Sequence, residues 1–532
     1  MRMAFNPQLQ LDCPAVTEVP LNTNCRDETI PILRALQHVF AQPTLREQLL
    51  RLVQQDVNPD SSPELGRAGM HYWQILVLAV VRLGLNLNYD RLQDMVENHR
   101  ALRHILGLGD WDFLGQSPCG FDWRRIRDNL CMLRPETLQH INQLVVAEGH
   151  RLQPDAARAV RGDSFVVETN IHYPTESSLI LDGIRKVLET VLQINEVLHV
   201  PGWRQHQHLL RKTRQLARLV GRIGRSKGQD YQARLRAAYA ELIAHAELIL
   251  QRARELAQAA QAFCRRHAHV DLLQHSAERL EHFLKLTQQV CDTARRRVLL
   301  GEEVPNQDKL FSIFEPETQL IKRGKAAQPV QFGHLVLLVE DSVGFVCYYE
   351  ILPRGCQEQD RAVPVLQETQ KRCAHQVERA SFDCAFHTPE NQKQLQEIVT
   401  HPCVPSKGRE EARAQRGSVE FREARQSHPG VESAIAALQA GNGQKECRDH
   451  THTGFERYVG LGILGRNLHV LGKLLLAQEQ PDSLAAQSRR KRRQLDRKCR
   501  RGVKSGQRRK RAAAPAAKSG KASGSLGRKR RE

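Results

Sequence analysis

The chain predicts an α/β fold in which strands are interrupted by a long helical insertion and preceded by an all-helical N-terminal domain. Three observations carry this. Strand-like apolar runs occur in two separated places, first at residues 159–169 and then between 335 and 404. No proline occurs from Trp203 to Val304, where Ala, Leu, Gln and Arg dominate. Upstream of both, apolar residues recur at helical spacing.

Taken in order, residues 1–27 carry Pro14, Pro20 and polar turns and read as an extended lead-in. Residues 28–150 read as helical. Ile75, Leu76, Ala79, Val80 and Leu83 line one helix, Gly84 and Asn86 break it, and Tyr89-Asp90 opens a second. Such a helix–turn–helix can place its second helix in a DNA major groove. An ordinary helical hairpin packed in a bundle has the same pattern.

Ala159–Thr169 reads as a strand in the segment 151–203. In 204–302, Leu235, Ala238, Leu242, Ala246 and Ile249 recur at three- and four-residue steps, and Gly221, Gly224 and Gly228 suggest a turn. This predicts two or three long helices, as a gripping or dimerising arm or as a solvated spacer. In 303–481, Leu335–Val339 reads as a buried strand, 340–344 as a turn and Phe345–Leu352 as the return strand. A further strand runs into Asp383, and Thr388-Pro389 caps a helix over 389–399. A short strand around Cys403-Val404 follows.

The 532 residues are 40% hydrophobic but only 5% aromatic, so aliphatic side chains must build the core. Net charge is +20, and it is unevenly placed. From Arg489 to Glu532 there are 20 Lys and Arg against Asp496 and Glu532, which leaves the remainder nearly neutral. The tail 482–532 has too little apolar content to fold alone, and its charge density suits a polyanion bound without sequence preference. The 13 cysteines form no CxxC pair, which argues against a zinc ribbon or finger and for reduced thiols. Neither a secretory h-region nor a run of about 18 apolar residues is present, so no membrane helix is expected.

Against this background three carboxylates stand out: Asp163 within the first strand, Asp383 at the end of a later one, and Glu432 at the start of a helix. Two Asp on strands and one Glu on a helix can hold a pair of Mg²⁺ ions, hard cations that prefer carboxylate oxygen. Two such ions about 4 Å apart neutralise charge in phosphodiester chemistry. Gly162 would let a ligand approach the backbone beside Asp163. Val431, Ile435 and Leu438 would form the buried face of the Glu432 helix, whose dipole favours an acid in its first turn. Any single acid among 59 is more often a surface charge or a cap. Arg425, about two turns before Glu432, is a phosphate clamp by its planar guanidinium or a solvated charge.

The segments VRGDSFVVETNIHYPTESSLILDG, IFEPETQLIKRGKAAQPVQFGHLVLLVED, FDCAFHTPENQ, GVESAIAALQ and RYVGLGILGRNLHVLGKLL occur in this order. Together they resemble bacterial insertion-sequence transposases of the DDE type, and most closely the heterogeneous ISNCY-type group. The resemblance runs from residue 70 to 475. It implies an RNase H-like mixed sheet in which Asp163, Asp383 and Glu432 form the catalytic, metal-binding triad, with Mg²⁺ as cofactor and Mn²⁺ as substitute. Glu176 stands where the family often has Asp. FDCAFH departs from its usual Asp-basic-Gly-Phe, with Cys384 and Ala385 in those places.

The implied partners are transposon-end and target DNA, bound by a homodimer or higher assembly in the bacterial cytoplasm at the nucleoid. His387, Lys407, Arg425, Arg466 and Asn467 are DNA-contact candidates, the alternatives being a plain loop histidine for His387, a solvated charge for Lys407 and Arg425, and capping of the core for Arg466 and Asn467. His172 and Tyr173 are expected to shape the loop after the first strand. A catalytically inactive DNA-binding relic and a plain metal-dependent nuclease are the rival functions.

Overall fold

The computed structural model describes residues 2–5, 13–25, 27–58, 69–110, 121–226, 228–267, 270–322 and 329–479. The basic tail expected at 482–532 lies outside them. Residues 1–472 form one compact unit.

Among the described residues, seven α-helices precede the sheet: α1 (Thr29–Ala41), α2 (Pro43–Val57), α3 (Tyr72–Gly84), α4 (Tyr89–Asn98), α5 (Arg100–Ile105), α6 (Trp123–Leu130) and α7 (Pro135–Leu152). Every residue of α3 is buried, as expected for a helix apolar on all sides. Its one charge, Arg82, forms a bidentate pair with Asp449 at 2.9 and 2.5 Å and stacks on the Tyr89 ring. Helices α3 and α4 form the expected helix–turn–helix. The accessible side of α4 carries Asp90, Asp94 and Glu97 against Arg91. That acidic balance disfavours a DNA backbone and fits the packed hairpin.

The sheet begins with β1 (Ala159–Thr169), and a bundle of α8 (Glu176–Leu198), α9 (His206–Arg225), α10 (Tyr231–Arg266) and α11 (Asp271–Ala294) follows before the chain returns. One apolar core from Leu179 to Ile313 unites the four helices. The bundle therefore takes in α8, which the sequence leaves with the first strand, because Leu179, Ile180, Ile184, Val187 and Val191 all point into that core. Gly183 lets α8 approach α11 closely, since a Cβ there would lie 2.2 Å from the Thr287 hydroxyl. Gly221 and Gly224 stay helical inside α9, and the chain turns at Gln229-Asp230 before α10.

The remaining strands are β2 (Gln319–Lys322), β3 (Val330–Asp341), β4 (Val346–Ile351), β5 (Arg379–Ser381), β6 (His401–Cys403) and β7 (Glu446–Cys447). Between them lie α12 (Ala362–Arg372), α13 (Pro389–Ile398), α14 (Arg409–Gln415), α15 (Val419–Ser427) and α16 (Pro429–Gly441), and α17 (His452–Glu479) follows. The sheet is mixed, with order β2-β3-β1-β5-β6. β1 and β3 are antiparallel over their length, and β4 returns antiparallel to β3. On its other edge β1 takes β5 in parallel, and β6 continues in parallel beyond β5. β1 is thus buried between neighbours, which explains its run Phe165-Val166-Val167.

Among the described residues, one helix, α17, is long and apolar enough to cross a membrane by length and composition. Phe455, Tyr458, Leu461, Leu464, Leu468 and Leu471 are all buried, as in the core helix of a folded domain. It crosses α3 backbone to backbone: a Cβ on Gly465 would sit 2.6 Å from the Gly84 Cα. Gly465→Val should therefore force the two helices apart and cost about 2 kcal/mol or more. A thermal melt should show a clearly lowered midpoint; a midpoint equal to that of the parent would show that the crossing tolerates a side chain.

Candidate metal centre

Strand alternation assigns the faces of β1. Side chains two residues apart share a face, so Arg161 and Asp163 point the same way and Gly162 points opposite. A Cβ on Gly162 would lie 2.4 Å from the Phe382 ring. Glycine is needed here to admit that ring, not a ligand.

The parallel register sets Asp383 beside Asp163. The pairs are Ala159 with Arg379, Val160 with Ala380 and Arg161 with Ser381. Carried two residues further, the same offset brings Asp163 level with Asp383. Asp383 lies two residues past the end of β5 and leads into a single 3₁₀ turn, Cys384–Phe386. Phe382 and Phe386 are fully buried with rings 5.1 Å apart, and they anchor the turn on both sides of the acid. The Asp383 side chain itself is 53% exposed.

Helix α16 supplies Glu432 on the same face. Arg161 passes beneath its start, where Gly430 leaves room: a Cβ there would lie 2.2 Å from the guanidinium carbon. The guanidinium donates to the Ser427 carbonyl at 3.0 Å and to Glu340 at 2.9 Å. His428, Glu432 and Gln439 fall on one stripe of the helix by their four- and seven-residue spacing. His428 Nδ1 contacts Ser381 Oγ at 2.9 Å and its Nε2 lies 3.9 Å from Asp383. At the other end, Gln439 donates to the Val166 carbonyl of β1 at 3.5 Å. Glu432 lies between these anchors and is exposed. Val431, Ala434, Ile435 and Leu438 form the buried side of α16.

The three acids thus lie on one side of the sheet, carried by β1, by the turn after β5 and by α16. Their oxygens are not drawn into one tight cluster. Among the described residues, the only trio of His, Cys or carboxylate ligand atoms all within 4.8 Å of one another is His150, Cys347 and Cys373, elsewhere in the fold. Mutual repulsion of three carboxylates favours such spreading. The donors fit a hard divalent cation: all are carboxylates, and two of them open to solvent.

Arg425 reaches this face. It donates to the Phe382 carbonyl at 3.2 Å and lies 3.7 Å from Asp383. Lys407 is exposed in the loop after β6. The other DNA-contact candidates sit inside the protein. His387 is 7% exposed. Arg466 is largely buried, 3.8 Å from Glu340. Asn467 is fully buried and clamps the β3–β4 hairpin, accepting from the Val346 N–H and donating to the Val346 carbonyl and to the side-chain Oδ1 of Asn142. Burial turns Asn467 from a DNA-contact candidate into a structural residue. His172 and Tyr173 do lie in the loop after β1, where Tyr173 packs on Phe332.

Arg161, Glu340 and His428 were not found from the sequence. Arg161 carried a usable signal, since a residue two before a strand-borne acid shares its face. Comparison of the chain with known protein families, curated proteins and solved structures finds no match.

Burial, with Arg425 nearby, lowers the His428 pKa from 6.5 to about 4, so the ring is neutral at pH 7. The unfolded chain takes up that proton near pH 6.5 and the folded chain only near 4. The stability tied to a neutral His428 is therefore complete above pH 6.5 and is lost as pH falls toward 4. His428→Gln should make the thermal midpoint fall less steeply over that window. Some slope should persist, because burial also lowers His334 to about 4. An unchanged slope would show that His428 is not buried neutral.

Proposed function

We propose that the chain is a DDE-type transposase that cleaves phosphodiester bonds at the ends of an insertion sequence and joins the freed 3′-hydroxyls to target DNA. The observation that carries this is the placement of Asp163, Asp383 and Glu432 on one face of the sheet, from β1, from the turn after β5 and from the first turn of α16. Further support comes from the sheet. An RNase H-like core would have an antiparallel set of strands on one side of a central strand and parallel strands on the other, and β4-β3-β1-β5-β6 has that form.

Held by these three carboxylates, Mg²⁺ or Mn²⁺ would supply the charge that activates the attacking oxygen and stabilises the leaving one. The chain's own groups do the rest. Phe382 and Phe386 fix the backbone that carries Asp383, so its position does not depend on substrate. Arg425, beside Asp383 and a third exposed, offers a planar donor to a phosphate oxygen. Lys407 adds an exposed cation for the DNA backbone. Neutral His428 orients the turn through Ser381 without competing for the carboxylate as a cation. The tail from Arg489 onward brings non-specific grip on DNA, which should weaken with salt.

The test is a cleavage and strand-transfer assay with the element's own end sequences, a target plasmid and Mg²⁺. Asp163→Asn, Asp383→Asn and Glu432→Gln should each lower both steps by about 10³-fold or more while DNA binding persists. Full activity in any of the three would sink the triad. Binding without cleavage in the parent would favour the inactive relic, and cleavage without joining would favour the plain nuclease.

A further inference from the structure

A second donor cluster lies away from the three carboxylates. His150 near the end of α7, Cys347 in β4 and Cys373 just after α12 place one ligand atom each within 4.8 Å of the others. Asp341, the last residue of β3, adjoins this trio without being part of it: its Oδ2 lies 2.9 Å from His150 Nε2. The same Nε2 is 3.9 Å from Cys347 Sγ. Cys347 and Cys373 are almost wholly buried, Asp341 is completely so, and His150 is nearly so.

The surroundings fix these donors in place. Asp341 Oδ1 accepts from three successive backbone N–H groups, of Val343, Gly344 and Phe345, at 2.9, 2.7 and 2.9 Å. That leaves Oδ2 directed at the histidine. The His150 ring stands edge-on to Phe345. Cys347 is the bulged residue of β4, between the paired Val346 and Tyr348, and Cys373 caps α12 with its own N–H bonded back into the helix.

We infer that His150, Cys347 and Cys373 hold a structural zinc ion, with Asp341 closing in from beside His150 as the fourth ligand. Two thiolates, one imidazole and one carboxylate make a four-coordinate set of the kind closed zinc sites use. Two thiolates and a carboxylate against Zn²⁺ leave a single net negative charge, the same as a Cys₃His site. Soft sulfur ligands select zinc over Mg²⁺, so this centre and the carboxylate face take different metals. Asp341 has the outer-shell hydrogen bonds that orient a ligand. The ion would tie α7 to the β3–β4 hairpin and to α12, fastening the N-terminal helices to the sheet.

The test is metal content in untagged full-length protein expressed in zinc-supplemented medium and exhaustively desalted. The parent should retain about one zinc per chain. The Cys347→Ser/Cys373→Ser variant should retain under about a tenth of that, while Cys131→Ser, at an exposed cysteine outside the cluster, should match the parent. X-ray absorption at the zinc edge of the parent needs no variant, so it decides the matter even if the double variant fails to fold. It should show two sulfurs near 2.3 Å with two lighter ligands. A parent with no more zinc than the double variant would overturn the site. So would a shell without sulfur, or a disulfide joining Cys347 to Cys373 in freshly purified protein.

Discussion

Glu340 is a carboxylate buried in the middle of the molecule, and the arrangement around the three acids hangs on how it is held. It sits in β3 directly across from Arg161 of β1, with a 2.9 Å ion pair, and Arg466 of α17 approaches from the other side at 3.8 Å. Burial raises the Glu340 pKa and the two arginines oppose this. A buried charge with its partner removed costs roughly 3–5 kcal/mol, so the three residues constrain one another strongly. Arg161 also holds the Ser427 carbonyl, at the junction of α15 and α16. One guanidinium thereby fixes the central strand, its antiparallel neighbour and the helix that presents Glu432.

The charges on this face follow from that anchor. Asp163 lies one pleat beyond Arg161, and Asp383 lies beside Arg425. The carboxylates therefore sit among cations that limit their repulsion without filling the space in front of them. His428 stays neutral because burial opposes its protonation, so it serves as a hydrogen-bonding spacer rather than a counter-ion. Phe382 fills the opposite side of the sheet at Gly162. The acids thus rest on a packed base and face outward.

Much of this was legible in the sequence because the signals are local. β1 matches its expected limits, and the β3–β4 hairpin and α13 fall within a few residues of theirs, since long apolar runs and a Thr-Pro cap encode them directly. The buried face of α16 follows from helical spacing. What was not legible depends on pairings between distant residues. Nothing near Asp163 announces that a strand more than 200 residues later joins it in parallel register, or that Glu340 will face Arg161. Gly162 suggested room for a ligand, when the occupant is a phenyl ring. The start of the bundle was missed because α8 is amphipathic like any sheet-covering helix, and only its packing partners reveal where it belongs. The His150, Asp341, Cys347 and Cys373 cluster was invisible for the same reason, since no short spacing links its members.

On the proposed function, Asp163, Asp383 and Glu432 together hold the divalent cations. The most direct measurement is anomalous diffraction from crystals of the protein soaked in Mn²⁺. Manganese density bounded by these three side chains, and absent from crystals of Asp383→Asn, is the expected result. Manganese bound elsewhere on the protein while this face stays empty would contradict the claim.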